Sequence, residues 1–241
     1  MKRVLLTGIM AAALIVAAVT KAEAVTSLTV RICQGGALCQ NFGPAPGPGP
    51  FTNNNIVVGD YTISGSVSTL ENPLGSNAAT STIAIQRVST ANAGALEIYL
   101  IATNFNNPLP PNYDITSVLA ATSSFAPVGS NVTYQGWVNF SNSGALPPTG
   151  VTPGQQSCAL GVDTTSCPTA AISTQTGAGA IPFSIITLTT FNVAQASTLA
   201  TYTTQGQINI TPIAVPEPAS MMLLGSGLVA LAAVARRRRR S

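Results

Sequence analysis

Between residues 27 and 210, apolar side chains keep returning at every second position, separated by threonine, serine, asparagine or glutamine. That period is the mark of strands with one face turned to a core, because successive Cβ atoms of a strand point to opposite sides. Residues 27–32 read as a first strand, and residues 33–39, with Gly35-Gly36, as the loop that turns it. The run 43–50 alternates glycine, proline and alanine, which predicts a break or linker, since proline donates no ladder hydrogen bond. Residues 55–68 read as one or two strands with Val57, Tyr61, Ile63 and Val67 suited to one face and breaks near Gly59 and Gly65. Residues 82–88 follow, with Ile83, Ile85 and Arg87 on one side. In residues 96–101 both faces are largely apolar, so that strand is expected to be central. Residues 104–112, rich in asparagine and proline, predict a loop.

Residues 115–125 fit a strand or a short helix. Residues 131–140 fit a strand with Val132, Tyr134, Val138 and Phe140 on one face and Thr133, Gln135, Trp137 and Asn139 on the other. Residues 141–180 read as a long irregular span. Residues 183–191 and 199–210 complete the sheet, expected as a hairpin across 192–198. About eight short strands and no confident helix predict an all-β ectodomain, an antiparallel β-sandwich of jelly-roll or immunoglobulin-like type. A β-helix is the alternative, although no fixed repeat of about twenty residues supports a solenoid.

The two ends break this pattern. Lys2 and Arg3 precede an apolar stretch over residues 4–19, and Ala22-Glu23-Ala24 supplies the small residues that signal peptidase needs. Residues 1–24 are therefore expected to be a signal peptide cleaved after Ala24. At the other end Val215, Pro216, Glu217 and Pro218 lead into an uncharged apolar run, residues 219–235, followed by Arg236, Arg237, Arg238, Arg239 and Arg240. Such a run makes a helix of roughly 25 Å, able to cross a thin bilayer. Prolines cannot continue a helix inward, so the transmembrane helix is expected to begin at or after Pro218. The arginines resist translocation and stay cytoplasmic, which places residues 25–212 on the outer side of the membrane.

Pro216-Glu217-Pro218, the adjoining apolar helix and the basic end of the chain together resemble the PEP-CTERM sorting domain of exported proteins in Gram-negative bacteria. The resemblance covers about residues 215–241, within a sorting domain expected over residues 213–241. It implies recognition by an exosortase-like membrane enzyme that removes helix and tail, an inner-membrane stage before processing, and then residence at the cell surface or in an exopolysaccharide or biofilm matrix. It implies a route and no activity. A permanent tail anchor is the other use of such an end.

The net charge of +3 comes from these ends. Between residues 25 and 215 the bases are Arg31 and Arg87, against Asp60, Glu71, Glu97, Asp114 and Asp163, which leaves a net charge of −3 and no nucleic-acid footprint. Charged residues make up 7% of the chain, so hydroxyls and amides must form most of the polar surface. Cys33, Cys39, Cys158 and Cys167 are an even number in an exported chain and are expected to form two disulfides, most simply within each doublet, to hold loops.

The chain has no histidine, which removes Ser-His-Asp and Cys-His catalysis and the usual zinc sites, and neither cysteine spacing is C-x-x-C. Glycosidase chemistry would need two facing carboxyl groups, for which Glu71 with Asp114, or Glu97 with Asp163, are the available pairs. Asp60, Asp114 and Asp163 lack a recognised calcium-loop spacing. Leu146-Pro147-Pro148-Thr149-Gly150 matches a sortase pattern but lies far from any helix and basic tail. No catalytic residue, metal or cofactor is expected. Trp137, on the polar face of its strand between Gln135 and Asn139, is the candidate glycan contact, with Tyr99, Tyr113 and Tyr134 as neighbours. The threonine runs 187–190 and 201–204 are expected to face solvent. The expectation is an exported structural or adhesive protein, with a carbohydrate-binding module as the alternative and a secreted hydrolase behind it.

Overall fold

In the computed structural model the described residues are 27–45, 51–72, 75–89, 94–107, 112–161, 166–177, 179–196, 200–213 and 225–226. The alternating pattern becomes two antiparallel sheets packed face to face. One sheet has the order β2 (Leu38–Ala45), β1 (Ser27–Gln34), β6 (Leu96–Phe105), β12 (Phe183–Asn192), β8 (Ser130–Asn139) and β9 (Gln155–Leu160). The other runs β10 (Ser166–Pro168), β7 (Tyr113–Ser124), β13 (Thr201–Pro212), β5 (Gly75–Arg87), β4 (Tyr61–Asn72) and β3 (Phe51–Val58), with β11 (Ile172–Thr176) also paired to β7. All the strand pairings described are antiparallel, the arrangement of a sandwich and not of a parallel β-helix. The core is built from the inward rows of the longer strands, including Ile98 and Leu100 of β6, Ile115 and Leu119 of β7, and Ile208 and Ile210 of β13.

Several expectations change. The break at residues 43–50 begins late: β2 continues through Pro44 to Ala45, which it can do because it is an edge strand, where a missing N–H is tolerated. Gly59 turns β3 into β4, whereas Gly65 lies inside β4 beside a register shift. Val57 is exposed and does not share the face of Tyr61, Ile63 and Val67, because the turn resets the parity. The strand at 82–88 extends back to Gly75, and the loop at 104–112 starts only after Phe105. The ambiguous segment 115–125 is β7, a strand. Residues 141–180 are not wholly irregular, since β9, β10 and β11 lie within them. Nor are 183–191 and 199–210 a hairpin: β12 pairs with β6 and β8 in one sheet, while β13 pairs with β5 and β7 in the other. The link between them crosses from sheet to sheet.

Where β8 and β13 face each other the two sheets interlock. Tyr134 of β8 packs over Gly206 of β13, where an added Cβ would lie 2.5 Å from its Cδ2. Two residues along, Ile208 of β13 packs over Gly136 of β8, where an added Cβ would lie 2.6 Å from its Cδ1. Each large side chain is received by a glycine of the opposite sheet.

The cysteines pair as expected, Cys33 with Cys39 and Cys158 with Cys167. Cys33 and Cys39 are register partners on β1 and β2, whose turn they clamp. The second bridge does more than hold a loop, because β9 and β10 belong to different sheets and it joins their edges. Gln156 supports the same seam, donating to Thr169 Oγ1 at 2.7 Å and accepting from Ser117 Oγ at 3.1 Å.

The sandwich has two distinct poles. At one, Ser27 begins β1 opposite Thr103, Pro212 ends β13 opposite Tyr113, and Glu71 Oε1 accepts from the backbone N–H groups of Asn106 and Asn107. Stacked rings fill the core there: Phe105 on Phe183 at 5.3 Å and Tyr113 on Phe140 at 5.5 Å. At the other pole Asp60 and Arg87 pair at 3.7 Å, Gln34 Nε2 donates to Asp60, and Ser130 Oγ and Tyr202 Oη share a hydrogen bond. Both described ends of the ectodomain therefore leave from the first pole.

Candidate contact face of the six-stranded sheet

The outward side chains of β1, β6, β12, β8 and β9 fall into register rows. Arg31, Tyr99, Leu188, Gln135 and Gln155 make one row. Thr29, Ile101, Ile186 and Trp137 make the next. On the other side of the first row lie Glu97, Thr190, Thr133 and Ser157. The result is a strip of Tyr99, Leu188, Ile101 and Trp137, bordered by amides and hydroxyls.

Trp137 is half-buried, and Ile186 beside it is 0% exposed although it points away from the core. The loop after β8 folds back over this part of the sheet. Asn142 and Asn104, both with left-handed backbones, exchange hydrogen bonds of 2.6 and 2.8 Å, and Ser184 Oγ donates to the Ser143 carbonyl at 2.7 Å. Gly144 lies close over Ile101, where an added Cβ would be 3.0 Å from its Cγ2. Further along, Gln135 Nε2 donates to Thr152 Oγ1 at 3.3 Å. The strip is therefore walled on one side by residues 141–152.

Tyr99 Oη donates to Glu97 Oε2 at 3.3 Å, which holds the phenol along its own strand. Burial raises its pKa, and the adjacent Glu97 carboxylate pushes the same way, so the phenol remains a donor at neutral pH. Tyr99 and Trp137 sit two strands and one row apart, about 12 Å between Cα atoms at ordinary sheet spacings. Two rings at that spacing, with Leu188 between them and the amides of Gln135 and Gln155 along the border, can accept the apolar faces of an extended chain of sugar rings and hydrogen-bond its hydroxyls.

The expected neighbours divide: Tyr99 shares this face with Trp137, but Tyr113 and Tyr134 are fully buried in the core, because their strand positions have the opposite parity. Leu188 was missed. It lies in a run read as solvent-facing threonines, yet Thr187 and Thr189 point into the core with Ile185 and Phe191, and Thr204 is buried on β13. Counting parity back from Phe191 would have found it.

The carboxylates do not assemble a catalytic pair among the described residues. Glu71 points inward at the pole of the chain ends, Asp114 alternates outward from buried Tyr113 and Ile115 on the other sheet, and Glu97 lies on the contact face. Asp60 is taken up by Arg87 and Gln34, and no group of metal-ligating side chains occurs among the described residues. Asp163, Ala22 and Ala24 of the expected signal cleavage site, the motif Val215 to Pro218 and Arg236 to Arg240 lie outside the described residues. Of the expected transmembrane helix only Gly225 and Ser226 are described, and they are helical. Among the described residues no helix is long and apolar enough to cross a membrane.

The family model of the PEP-CTERM protein-sorting motif matches residues 214–240. No curated protein matches the chain. Among solved structures, the adhesin domain of Epf from Streptococcus pyogenes aligns at 12% identity and TM-score 0.35, over 77% of this chain. The chain spans 58% of that adhesin domain. The enzymatically active domain of tailspike protein 4 of bacteriophage CBA120 aligns at 8% identity and TM-score 0.24, over 64% of this chain and 18% of its own. TmCBM61, solved in complex with β-1,4-galactotriose, aligns at 7% identity and TM-score 0.22, over 63% of this chain and 88% of its own.

Proposed function

Because the chain carries a PEP-CTERM sorting motif at its C-terminal end, a signal for export and exosortase sorting, we propose that it is a structural or adhesive protein of the cell surface or exopolysaccharide matrix, and not an enzyme. The single observation that carries the export and sorting part of this reading is the motif itself, at residues 214–240. The departure of both described ends from one pole supports it, since a tail running from Pro212 to the membrane would leave the opposite pole facing outward. In this reading signal peptidase cuts after Ala24, the segment 219–235 holds the precursor in the inner membrane, and an exosortase-like enzyme acts at Val215-Pro216-Glu217-Pro218.

Two measurements test it. Mass spectrometry of the mature protein should find a C-terminus near Pro218; recovery of intact Arg240 would replace processing with a permanent anchor. A topology reporter inserted in the loop at Ser143 should be active only outside the cytoplasm, and activity inside would end the export reading.

One observation favours a second reading, a carbohydrate-binding module: the strip of Tyr99, Leu188 and Trp137 flanked by Gln135 and Gln155. Binding to matrix polysaccharide that weakens roughly tenfold in Trp137→Ala, the effect of losing one stacked ring at about 1.4 kcal/mol, would support it. Unchanged binding would leave the strip as the cover of Ile186.

A further inference from the structure

The pole opposite the chain ends carries most of the exposed large apolar side chains among the described residues. Phe125 and Val128, in the link from β7 to β8, are 77% and 79% exposed, and Val88, Leu38 and Val57 stand on the same pole. Phe125 is held out by a backbone at φ 52°, a conformation that a bulky residue seldom adopts. The turn beside it is ordered, since the Ser130 N–H donates to the Pro127 carbonyl at 3.2 Å. Next to these two side chains opens a cleft of about 290 Å³, lined by Arg87, Gly94, Gly129, Asn192, Val193 and Ala194. Knob and hollow thus occur side by side on one surface.

We propose that this pole is a self-association surface, in which Phe125 and Val128 of one copy enter the Gly94–Gly129–Val193 cleft of a second copy, and the reverse. A two-fold contact needs the same patch to be self-complementary, which a knob beside a hollow provides. Charge does not oppose it: Asp60 and Arg87 neutralise each other at this pole, and Arg87 Nη1 also donates to the Val193 carbonyl. A lipid surface is the less suitable occupant. Anionic headgroups are drawn by free Lys and Arg, and among the described residues Arg87 of this pole is engaged by Asp60 and the Val193 carbonyl while Arg31 is turned onto the sulfur atoms of Cys33 and Cys39. Two knob side chains and one cleft per copy make a contact below the roughly 1,200 Å² of stable complexes, so each is weak and gains strength when many copies share a surface. The inference rests on the proposed function for one point, that the pole faces away from the anchoring membrane.

The test uses the full chain reconstituted into phosphatidylcholine vesicles, with clustering read by light scattering and two-colour coincidence. Phe125→Asn with Val128→Thr removes the knob, and asparagine tolerates the left-handed backbone. Ala194→Arg, at an exposed position, blocks the cleft. Wild-type vesicles should cluster with one another and not with bare vesicles. Each variant alone should lose clustering roughly tenfold or more. A mixture of the two variants should regain part of it, because one intact knob meets one intact cleft. Equal capture of bare vesicles would assign the pole to lipid, and absent clustering, or clustering unchanged in both variants, would also overturn the proposal. A cytoplasmic topology reporter would remove the proposed function while leaving vesicle clustering in place, so the two failures are distinct.

Discussion

Replacing Gly136 by alanine tests the interlock of β8 and β13 directly. The position has no left-handed backbone to relieve, so alanine would ordinarily help: it removes unfolded-chain entropy worth about 0.4–1 kcal/mol. Here the new methyl would lie 2.6 Å from Ile208 Cδ1 and 3.1 Å from its Cβ, in a fully buried site. Overpacking of that kind costs about 1–3 kcal/mol, which outweighs the entropy gain over nearly all of that range and leaves a net loss of up to about 2.6 kcal/mol. For a domain of this size the melting temperature should fall by roughly 2–8 °C. Ile208→Val deletes the offending Cδ1 and alone costs about 0.5–1.5 kcal/mol. In the double variant the clash is eased, so the two losses should combine to less than their sum by about 1 kcal/mol. Trp137 is the single tryptophan of the chain and adjoins Gly136, so its fluorescence during thermal or urea unfolding is the natural probe. Additive losses, or a Gly136→Ala variant more stable than the parent, would refute the interlock.

The core also holds polar groups that can be removed. Thr189 is fully buried opposite Tyr134 and its hydroxyl has no hydrogen-bond partner among the described residues, so Thr189→Val should stabilise by about 1 kcal/mol in a urea melt. All five tyrosines have pKa values raised, first of all by burial, so the folded state keeps its phenol protons where the unfolded chain would lose them. Their contribution to stability is present in full below about pH 10, the unfolded value, and is lost as pH rises further. The tyrosinate absorbance should therefore appear together with unfolding and not before it. Replacing Cys158 and Cys167 together by alanine should cost about 2–3 kcal/mol and raise amide exchange at both sheet edges, β9 and β10, whereas loss of the Cys33–Cys39 bridge should loosen only the β1–β2 turn.

What could be read from the residues depended on how completely each strand is buried. β6 and β8 were legible because their inward positions are long apolar rows, Leu96-Ile98-Leu100 and Val132-Tyr134-Val138. β9, β10 and β11 were not: β9 turns Gln156 inward with Cys158 and Leu160, β10 is three residues long, and β11 has one large apolar side chain, Ile172. Their cohesion comes from the seam of Cys158–Cys167 and Gln156, which joins residues that local periodicity does not relate. The false hairpin at 192–198 has a similar cause. Nearness in sequence favours pairing, but β6 and β8 already flank β12, and β5 and β7 flank β13, which leaves no free edge between them. On the contact face, the parity of Trp137 was legible from its strand, but its place beside Tyr99 and Leu188 depended on long-range register.

The scarcity of charge bears on how such a surface can hold anything. Arg87 is committed to Asp60 and to the Val193 carbonyl, and Arg31 directs its guanidinium at the sulfur atoms of Cys33 and Cys39 at 3.4 Å. With no lysine between residues 25 and 215, recognition by long-range electrostatic attraction has little to act through. What remains is contact chemistry: the aromatic and amide strip around Tyr99 and Trp137, and the apolar pole around Phe125. These occupy different surfaces, the flank of one sheet and the outward tip of the sandwich, so a copy bound along its flank would still have its tip free. On the two proposed readings the fold would separate attachment to a polymer from attachment to another copy, so Trp137→Ala should leave vesicle clustering unchanged and Ala194→Arg should leave polysaccharide binding unchanged.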